Sequence, residues 1–494
     1  MGILMPAIKR TFTNSFSFRG AWAFFFAVLI VGSYLWGNVT NPFFWFDAAG
    51  QLFMALGMDP CGPPFAEIGS FWNSLKLNLG GNMDPGMFTI LVRYWAFIST
   101  HPAWLRILPL LFLLAALVLI FRLTIKATND LFLSAVLAFF PLTNPLIAQW
   151  GLSLRGYAME MCGAVLASLL CYEPEVLKDK RRLIGAVLLL GFFAGSRYSF
   201  LLVIFSLGAA LAITRFEELR LKISKRMIAF GSLALLPIAI PLSMHAQTKV
   251  TYISRFVLAG KTPRGFFDIV LANLSRPEVL LQIVFVLVYS ALLKGDPIKR
   301  RHQTFLYFLI FVNIAFIAVS IIGVYPWVLD ERYTISLNIV SYVAAASAVS
   351  IIASKLEPRK ALSAGGYAAL CAIQALAVSN FKLDTYTNTY DSLEWAKSEG
   401  LLENRVSFLS RGAQIDARYL FEHGYLKGKW PEFYPGGFIA NNSDQAPDAK
   451  TLSGIDHAFI ATADYKMLAY FKQHPDFEPL KEYNHLRIFK RKRH

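Results

Sequence analysis

Residues 105–124, LRILPLLFLLAALVLIFRLT, are apolar except for Arg106 and Arg122 near the two ends of the run. A helix that crosses the hydrocarbon core of a bilayer needs roughly 20 mainly apolar residues, which is the length of this run. In lipid, the backbone polar groups must be paired within their own segment. The run is therefore predicted to be a transmembrane helix.

Other apolar segments along the chain are of the same kind, although some of them are shorter. The predicted fold class is an all-α polytopic membrane protein with about eleven spans. The stretch 182–214 allows either one long helix or a tight hairpin around Gly195, Ser196 and Arg197. The predicted spans are 20–37, 105–124, 130–149, 156–172, 182–196, 198–214, 227–246, 278–294, 303–324, 333–354 and 361–380.

Composition and charge agree with a membrane protein. Only 16% of the residues are charged, against about 25% in soluble proteins. The net charge of +16 would suggest a nucleic-acid partner in a soluble protein. Here, however, the basic runs lie between apolar segments, as the positive-inside rule requires of cytoplasmic loops. Nucleic acid is therefore not an expected partner. These basic runs are 178–182, 220–226, 299–302 and 355–360.

The basic loops also set the predicted topology. With a cytoplasmic N-terminus, an odd number of spans places the C-terminal region outside the cytoplasm. The first span has no small-residue cleavage site after it, so it is expected to be retained. The chain is predicted to be a multi-pass protein of the cell inner (plasma) membrane, with a periplasmic C-terminal region. The predicted outer segments are 38–104, 149–156, 247–277, 325–332 and 381–494.

The chain is predicted to consist of two domains, the transmembrane domain 1–380 and the tail 381–494, where the composition shifts. The tail is polar, with strand-like runs at 405–410, 457–463 and 485–490 and helical patterns between them, which favours a small α/β domain. In the first outer loop, FTILVRYWAFI (88–98) is predicted to be an amphipathic juxtamembrane helix lying on the membrane surface.

Asp47 is the first candidate catalytic residue. It lies in NPFFWFDAAGQLFMALG (41–57), among aromatic residues directly after the first predicted span. Ionisable residues at membrane depth are usually functional, which favours a catalytic carboxylate. The alternative is a helix N-cap, because Asp is a favoured cap and the residues after it look helical.

Asp84 and Arg93 lie in MDPGMFTILVRYW (83–95). Asp84 precedes a proline and so belongs to a turn or a helix start, where it either caps the helix or takes part in catalysis. Arg93 is a candidate substrate-binding residue, and its alternative role is to snorkel towards lipid head groups.

Three further segments carry candidate phosphate-binding arginines, because a guanidinium group has the donor geometry that matches phosphate. In SLRGYAMEM (153–161), Arg155 precedes Tyr157 and Glu160, and the acid is expected to be paired within the bundle or to face a cavity. In AGSRYSF (194–200) and LDERYTISL (329–337), the candidate phosphate-binding residues are Arg197 and Arg332. The neighbouring candidates for substrate binding are Tyr157, Tyr198, Glu331 and Tyr333. The alternatives are an interfacial anchor for Arg155 and neutralisation of Arg332 by its acidic neighbours.

Cofactor motifs give little support to a nucleotide or a structural metal. The sequence contains neither GxxxxGK[ST] nor a GxGxxG after a strand, so a donor that arrives through the membrane is favoured over a nucleotide sugar. No His/Cys/Asp cluster has the spacing of a structural metal site. A divalent ion held by Asp47 and Asp84 stays open.

Taken together in order, these motifs resemble the GT-C superfamily of polytopic glycosyltransferases, in the branch of the protein O-mannosyltransferases and the bacterial lipid A aminoarabinose transferase. FWFDAAGQLFMALG (44–57) is similar to that branch's aromatic-Asp segment after the first span. LRGYAMEM (154–161) is similar to the start of its fourth span, GFFAGSRYSF (191–200) to its Gly-rich Lys/Arg-Tyr motif, and ERYTISL (331–337) to its late Glu-Arg-Tyr.

The resemblance implies a sugar transfer from a polyprenyl-phosphate donor to a lipid, glycan or protein acceptor on the outer face of the membrane. Asp47 would be the general base, and Arg155, Arg197 and Arg332 would hold the donor phosphate. The chain departs from the family where an acid becomes Ala48 and where His-Pro-Pro becomes Asp84-Pro85-Gly86. Asp84 is therefore the candidate for the missing acid's role.

Two other functions stay open at the level of the sequence. A transporter or flippase for lipid-linked glycans would also place charges in the bilayer, although such proteins often carry inverted repeats and none is found here. A ligase or polymerase would use a diphosphate-linked donor, and the basic outer loop 247–277 is compatible with that chemistry.

Overall fold

The computed structural model describes residues 29–30, 32, 38, 44, 46–62, 64–81, 84–173, 176, 179–220, 270–271, 274–292, 299–321, 334–355, 387–401, 406–409, 411–424, 452–461, 465–483 and 486–492. The predicted spans 227–246 and 361–380 lie outside these residues, as does most of 20–37.

The segment predicted to be the first outer loop, 38–104, contains three described helices, α1 (Phe46–Ala55), α2 (Phe71–Gly81) and α3 (Met87–Ala96). The last of them confirms the helix predicted at 88–98. The helices of the bundle follow as α4 (Pro102–Thr128), α5 (Leu131–Phe139), α6 (Pro145–Leu152), α7 (Tyr157–Tyr172), α8 (Lys180–Ala194), α9 (Ser199–Arg220), α10 (Pro277–Leu292), α11 (Lys299–Ile321) and α12 (Ile335–Lys355).

Four of the described helices, α4, α9, α11 and α12, are long and apolar enough to cross a membrane. The number is up to five if the bent pair α5–α6 counts as one span, and α7 and α10 are shorter apolar helices. These helices are compatible with a multi-pass membrane protein. The total of about eleven spans stays a prediction.

The segment predicted as one straight span at 130–149 is bent. A 3-10 turn at Phe140–Thr143 follows α5, and the helices on the two sides of the break differ in direction by 83°. Pro145 cannot donate a backbone hydrogen bond, so a new helix starts there. The Asn144 side chain caps this helix by accepting from Leu146 N at 2.9 Å. Its amide also donates to Glu278 Oε1 on α10 at 2.9 Å, which braces the bend.

The hairpin interpretation of 182–214 is confirmed. α8 ends at Ala194 and α9 begins at Ser199, so Gly195–Tyr198 form the turn between two separate helices. This turn places Arg197 and Tyr198 at the end of the bundle rather than within a continuous helix.

α7 lies at the centre of the bundle, against α4, α8, α9, α11 and α12. The residues around its two ends differ in charge. At its C-terminal end, Glu173 pairs with Arg122 at 2.9 Å and with Lys126. The basic start of α8, with Arg182 paired to Asp179 at 3.2 Å, follows directly in the chain. At the N-terminal end of α7 lie Arg155 and the turn of Arg197, so the candidate residues lie at the end opposite these basic segments.

The described residues of the tail contain both helices and a small sheet, as the sequence indicates, and the division of the chain into two domains stays a prediction. The elements of the tail are α13 (Thr387–Ser398), β1 (Val406–Phe408), α14 (Arg411–Glu422), β2 (His457–Ala461), α15 (Tyr465–Gln473), β3 (Phe477–Glu482) and β4 (Leu486–Arg491). The sheet order is β1-β2-β4-β3, with β1 parallel to β2 and the other two pairs antiparallel. β3 and α14 were not among the predicted elements.

Close packing of α7 against α8 and α9 depends on Gly163. A Cβ atom at this position would lie 2.7 Å from both the Phe193 Cβ and the Phe200 ring. These distances are shorter than van der Waals contact, so any side chain would force the helices apart.

Gly163→Ala is therefore expected to destabilise the bundle, because overpacking of a close-packed interior costs typically about 1–3 kcal/mol. The thermal unfolding midpoint of the detergent-solubilised protein measures the effect. Gly185→Ala on α8 is the matched control, because no heavy atom lies within 4 Å of its Cβ position. That variant is expected to keep or raise the midpoint, and equal losses in the two variants would contradict the packing argument.

Candidate active site

The candidate site is built from three connections that meet at one end of the bundle. They are the turn before α3 at 84–86, the α6–α7 turn at 153–156 and the α8–α9 turn at 195–198. Two glycines allow the close approach. A Cβ on Gly156 would lie 2.9 Å from the Ser196 carbonyl oxygen, and one on Gly195 would lie 2.5 Å from the Met87 Cβ. Met87 N also donates to the Gly195 carbonyl at 3.1 Å, which ties the first outer loop to the bundle.

Asp84 lies between two arginines. One carboxylate oxygen is 3.6 Å from Arg155 Nη2, and the other is 3.9 Å from Arg197 Nε. Both arginines are buried, at 8% and 4% exposure, so solvent screens these ion pairs only weakly. The N-cap position of α3 is Gly86, which makes no side-chain cap, so capping does not account for Asp84.

Arg197 has a second acidic neighbour, the fully buried Glu160 on α7. The Arg197 Nε lies 3.7 Å from Glu160 Oε2, and the Arg197 guanidinium carbon lies 4.2 Å from the centre of the Tyr157 ring. The other oxygen, Oε1, accepts hydrogen bonds from Ser199 Oγ at 2.6 Å and from Ser336 Oγ. The predicted pairing of Glu160 within the bundle is confirmed, and α7, α9 and α12 all contribute to it.

Asp47 belongs to the same electrostatic environment. It is in the first turn of α1 and is half-buried. Burial lowers the pKa of Arg155, but the carboxylates of Asp47 and Asp84 outweigh that effect and raise this pKa above its usual value. Burial, with a smaller contribution from Asp84, also raises the pKa of Tyr198. The structure thus brings together Asp47, Asp84, Arg155, Tyr157, Arg197 and Tyr198 from four separate sequence segments.

Arg93 lies elsewhere, among the helices of the outer loop. Its Nη1 donates to the Ala55 carbonyl at 3.1 Å and to Ser74 Oγ at 2.6 Å, and its Nη2 donates to the Gly69 carbonyl at 2.8 Å. It is 7% exposed, so the side chain does not snorkel but joins α3 to α1 and α2. These contacts give Arg93 a part in the scaffold, and its predicted contact with substrate stays a prediction.

Three predicted site residues, Glu331, Arg332 and Tyr333, lie outside the described part of the chain. The phosphate contact of Arg332 and the substrate contacts of Glu331 and Tyr333 therefore stay predictions. Among the residues that the structure describes, no group of three or more His, Cys, Asp and Glu side chains is arranged to hold a metal ion.

The helix that carries Asp47 is covered by α14 of the C-terminal domain. The Ile415 side chain lies 3.5 Å from the Cβ position of Gly50, and the Arg418 guanidinium lies 4.1 Å from the centre of the Phe53 ring. Arg418 also donates to the Asp59 carbonyl and to Glu422 Oε1, the latter at 2.8 Å. α14 is not among the elements predicted from the sequence, because the polar residues Gln414, Asp416 and Arg418, whose side chains are buried, lie among its apolar residues.

Comparison with known proteins leaves the function to be argued from this geometry. No protein-family model matches the chain. No curated protein is significantly similar to it.

The pairing of Glu160 with Arg197 leads to a stability prediction. Glu160→Gln keeps an oxygen for the two serine hydroxyls but removes the charge beside Arg197. Breaking a buried ion pair in this way costs roughly 3–5 kcal/mol, so the thermal midpoint should fall clearly. The matched control is Glu173→Gln, whose partners Arg122 and Lys126 are 37% and 57% exposed. Solvent-exposed pairs contribute roughly 0.2–1 kcal/mol, and a control loss as large as that of Glu160→Gln would argue against the burial effect.

The contact between α14 and α1 leads to a second prediction. Arg418→Ala removes a 1% exposed guanidinium that bonds to both Asp59 and Glu422. Amide hydrogen exchange should accelerate in both 46–62 and 411–422, because each helix loses its partner. Lys397→Ala, at an exposed position on α13, is the control. Faster exchange confined to 411–422 would show that α1 does not depend on this contact.

Proposed function

We propose that the chain is an integral membrane glycosyltransferase of the GT-C type. It transfers a sugar from a polyprenyl-phosphate donor to a lipid, glycan or protein acceptor at the outer face of the membrane. The observation that carries this proposal is the convergence of two acids and two arginines, Asp47, Asp84, Arg155 and Arg197, at one end of an apolar bundle.

In the proposed reaction, Asp47 is the general base. It takes the proton of the acceptor hydroxyl while that oxygen forms a bond to the anomeric carbon of the sugar. The bond between this carbon and the phosphate oxygen breaks on the opposite face, and its electron pair leaves with polyprenyl phosphate. The configuration at the anomeric carbon is inverted. No acid is needed on the leaving group, because phosphate is already a good leaving group.

Arg155 and Arg197 are the proposed phosphate ligands. Their distances to Asp84, 3.6 and 3.9 Å, exceed those of ordinary hydrogen bonds, which are about 2.7–3.2 Å for N–H···O. Asp84 thus holds the two guanidinium groups close together without a direct hydrogen bond in either ion pair. Bidentate guanidinium–phosphate contacts are stronger than such loose pairs, so a donor phosphate can compete for the same groups.

The donor phosphate needs further positive charge, because Arg155 and Arg197 already lie beside the carboxyl groups of Asp84 and Glu160. We propose that Arg332 and the basic loop 247–277 supply it, and a divalent ion would serve the same purpose.

The placement of the site supports an extracytoplasmic reaction. It lies at the end of α7 opposite Arg122, Lys126 and the basic start of α8, which the positive-inside rule assigns to the cytoplasm. We accordingly propose an inner (plasma) membrane location with a cytoplasmic N-terminus and a periplasmic C-terminal domain.

Asp47→Asn tests the proposal directly. Loss of a general base lowers turnover typically by about 10²–10⁴-fold, whereas the fold and donor binding should persist. The assay measures transfer from a panel of polyprenyl-phosphate-linked hexoses and pentoses by the purified protein in lipid. Asp59→Asn is the matched control, because Asp59 is an exposed acid in the same loop. Near-normal sugar transfer by the Asp47→Asn variant would contradict the proposed mechanism.

Mass spectrometry of the lipid that co-purifies with the protein separates the proposal from its alternatives. A monophosphate-linked sugar is the expected finding. A diphosphate-linked oligosaccharide would instead point to a ligase or polymerase, and transport of an intact lipid-linked glycan without transfer would point to a flippase.

A further inference from the structure

A continuous chain of buried hydrogen bonds connects the helix of Asp47 to the backbone of Asp84. Gln51 Nε2 on α1 donates to Thr89 Oγ1 on α3 at 2.8 Å. The Thr89 hydroxyl donates to Asn78 Oδ1 on α2 at 2.5 Å, and Asn78 Nδ2 donates to the main-chain oxygen of Asp84 at 2.9 Å. The three side chains are between 0% and 2% exposed, so water does not compete for these bonds.

The chain of bonds has one internally consistent direction. The Asp84 carbonyl can only accept, so Asn78 presents its NH₂ group to Asp84 and its Oδ1 to Thr89. Thr89 has one proton and donates it to this Oδ1, so the Thr89 oxygen must accept from the Gln51 NH₂ group. The Asp84 turn is thereby connected to a side chain on α1 through buried hydrogen bonds.

Two further features match this arrangement. Asp47 and Gln51 are four residues apart on α1 and therefore lie on the same face of that helix. The turn that carries Asp84 passes close over Asn78, since a Cβ on Gly86 would lie 3.4 Å from Asn78 Nδ2. Gly86 has φ +98°, a conformation that favours glycine, so the turn can take this path only with that residue.

We infer that Gln51, Thr89 and Asn78 are positioning residues that fix Asp84, and with it Arg155 and Arg197, relative to Asp47. None of the three would touch the substrate. They would hold the proposed base and the proposed phosphate ligands at the separation that the reaction requires. This inference rests on the proposed function and extends it to residues that the outer loop buries.

The decisive variant is Thr89→Val, which keeps the shape of the side chain but removes both hydrogen bonds. A displacement of about 1 Å in a catalytic group can lower the rate about 10²-fold, so we expect kcat to fall about 10- to 100-fold. KM for the polyprenyl-phosphate sugar should change by less than about threefold, since the phosphate ligands stay in place relative to each other. Thr89→Ser restores the hydroxyl and is expected to restore kcat.

A merely structural role would give a different pattern. Ser341→Ala breaks a buried hydrogen bond of the same kind, from Gln282 Nε2 at 2.7 Å, in the interface between α10 and α12 away from the site. It should lower the thermal midpoint to a similar extent as Thr89→Val but leave kcat per folded molecule unchanged. Asn78→Ala combined with Thr89→Val should be no slower than the slower single variant, because both break one chain of bonds.

The outcomes separate the inference from the proposed function. If the wild-type protein transfers sugar and Thr89→Val keeps kcat within about threefold of it, the positioning inference is wrong and the proposed function stands. The inference is also overturned if Ser341→Ala lowers kcat as much as Thr89→Val does. If the wild-type protein transfers no sugar from the donor panel, the proposed function fails and the inference fails with it.

Discussion

The ion pairs of Asp84 with Arg155 and Arg197 are the interaction on which the rest of the candidate site depends. They join a loop before the first long helix to two turns at one end of the bundle. Charges buried in a weakly polar environment are unfavourable unless they are paired, so each of the three groups stabilises the other two in this position. The close approaches at Gly156 and Gly195 follow from this requirement, because larger residues would keep the three turns apart.

The same requirement explains the polar groups inside the apolar helices. Glu160 is fully buried on α7, and two serine hydroxyls together with Arg197 surround its carboxylate. Asn144 and Glu278 are paired in the same way at the bend between α5 and α6. The Asn144 side chain caps α6 and donates a hydrogen bond to Glu278 on α10. In both places a residue that is costly in lipid is tolerated because several helices supply its partners.

Features that depend on local sequence could be predicted. Long apolar runs such as 105–124 are helices, a turn at Gly195-Ser196-Arg197 separates two helices as one of the two alternatives predicts, and three strands of the tail lie where the sequence indicates. The bend at Asn144 was missed because a hydropathy average does not register a proline inside an apolar run. β3 was missed because FEPLKE has no apolar alternation and contains Pro479, which favours an edge position such as the one that β3 occupies.

The sequence indicates which charged residues are candidates for the site, but not how they are arranged. Asp47, Asp84, Arg155 and Arg197 stand out because charges are rare in such a chain. Which acid meets which arginine depends on contacts between residues far apart in sequence, and a single sequence carries no record of those. Gln51, Thr89 and Asn78 gave no signal for the same reason, since an amide or a hydroxyl in an amphipathic helix is unremarkable until its partner is known.

The cover that α14 provides over α1 also bears on how the protein is made. The helix of Asp47 precedes the bundle in the chain, whereas residues 411–422 follow it, so α14 is synthesised after the described helices of the bundle. Arg418 can therefore contact Phe53 and Asp59 only after those helices have been made. Completion of the site is therefore a late step in biogenesis, and a chain that stops short of the tail would insert into the membrane with its first outer loop still uncovered.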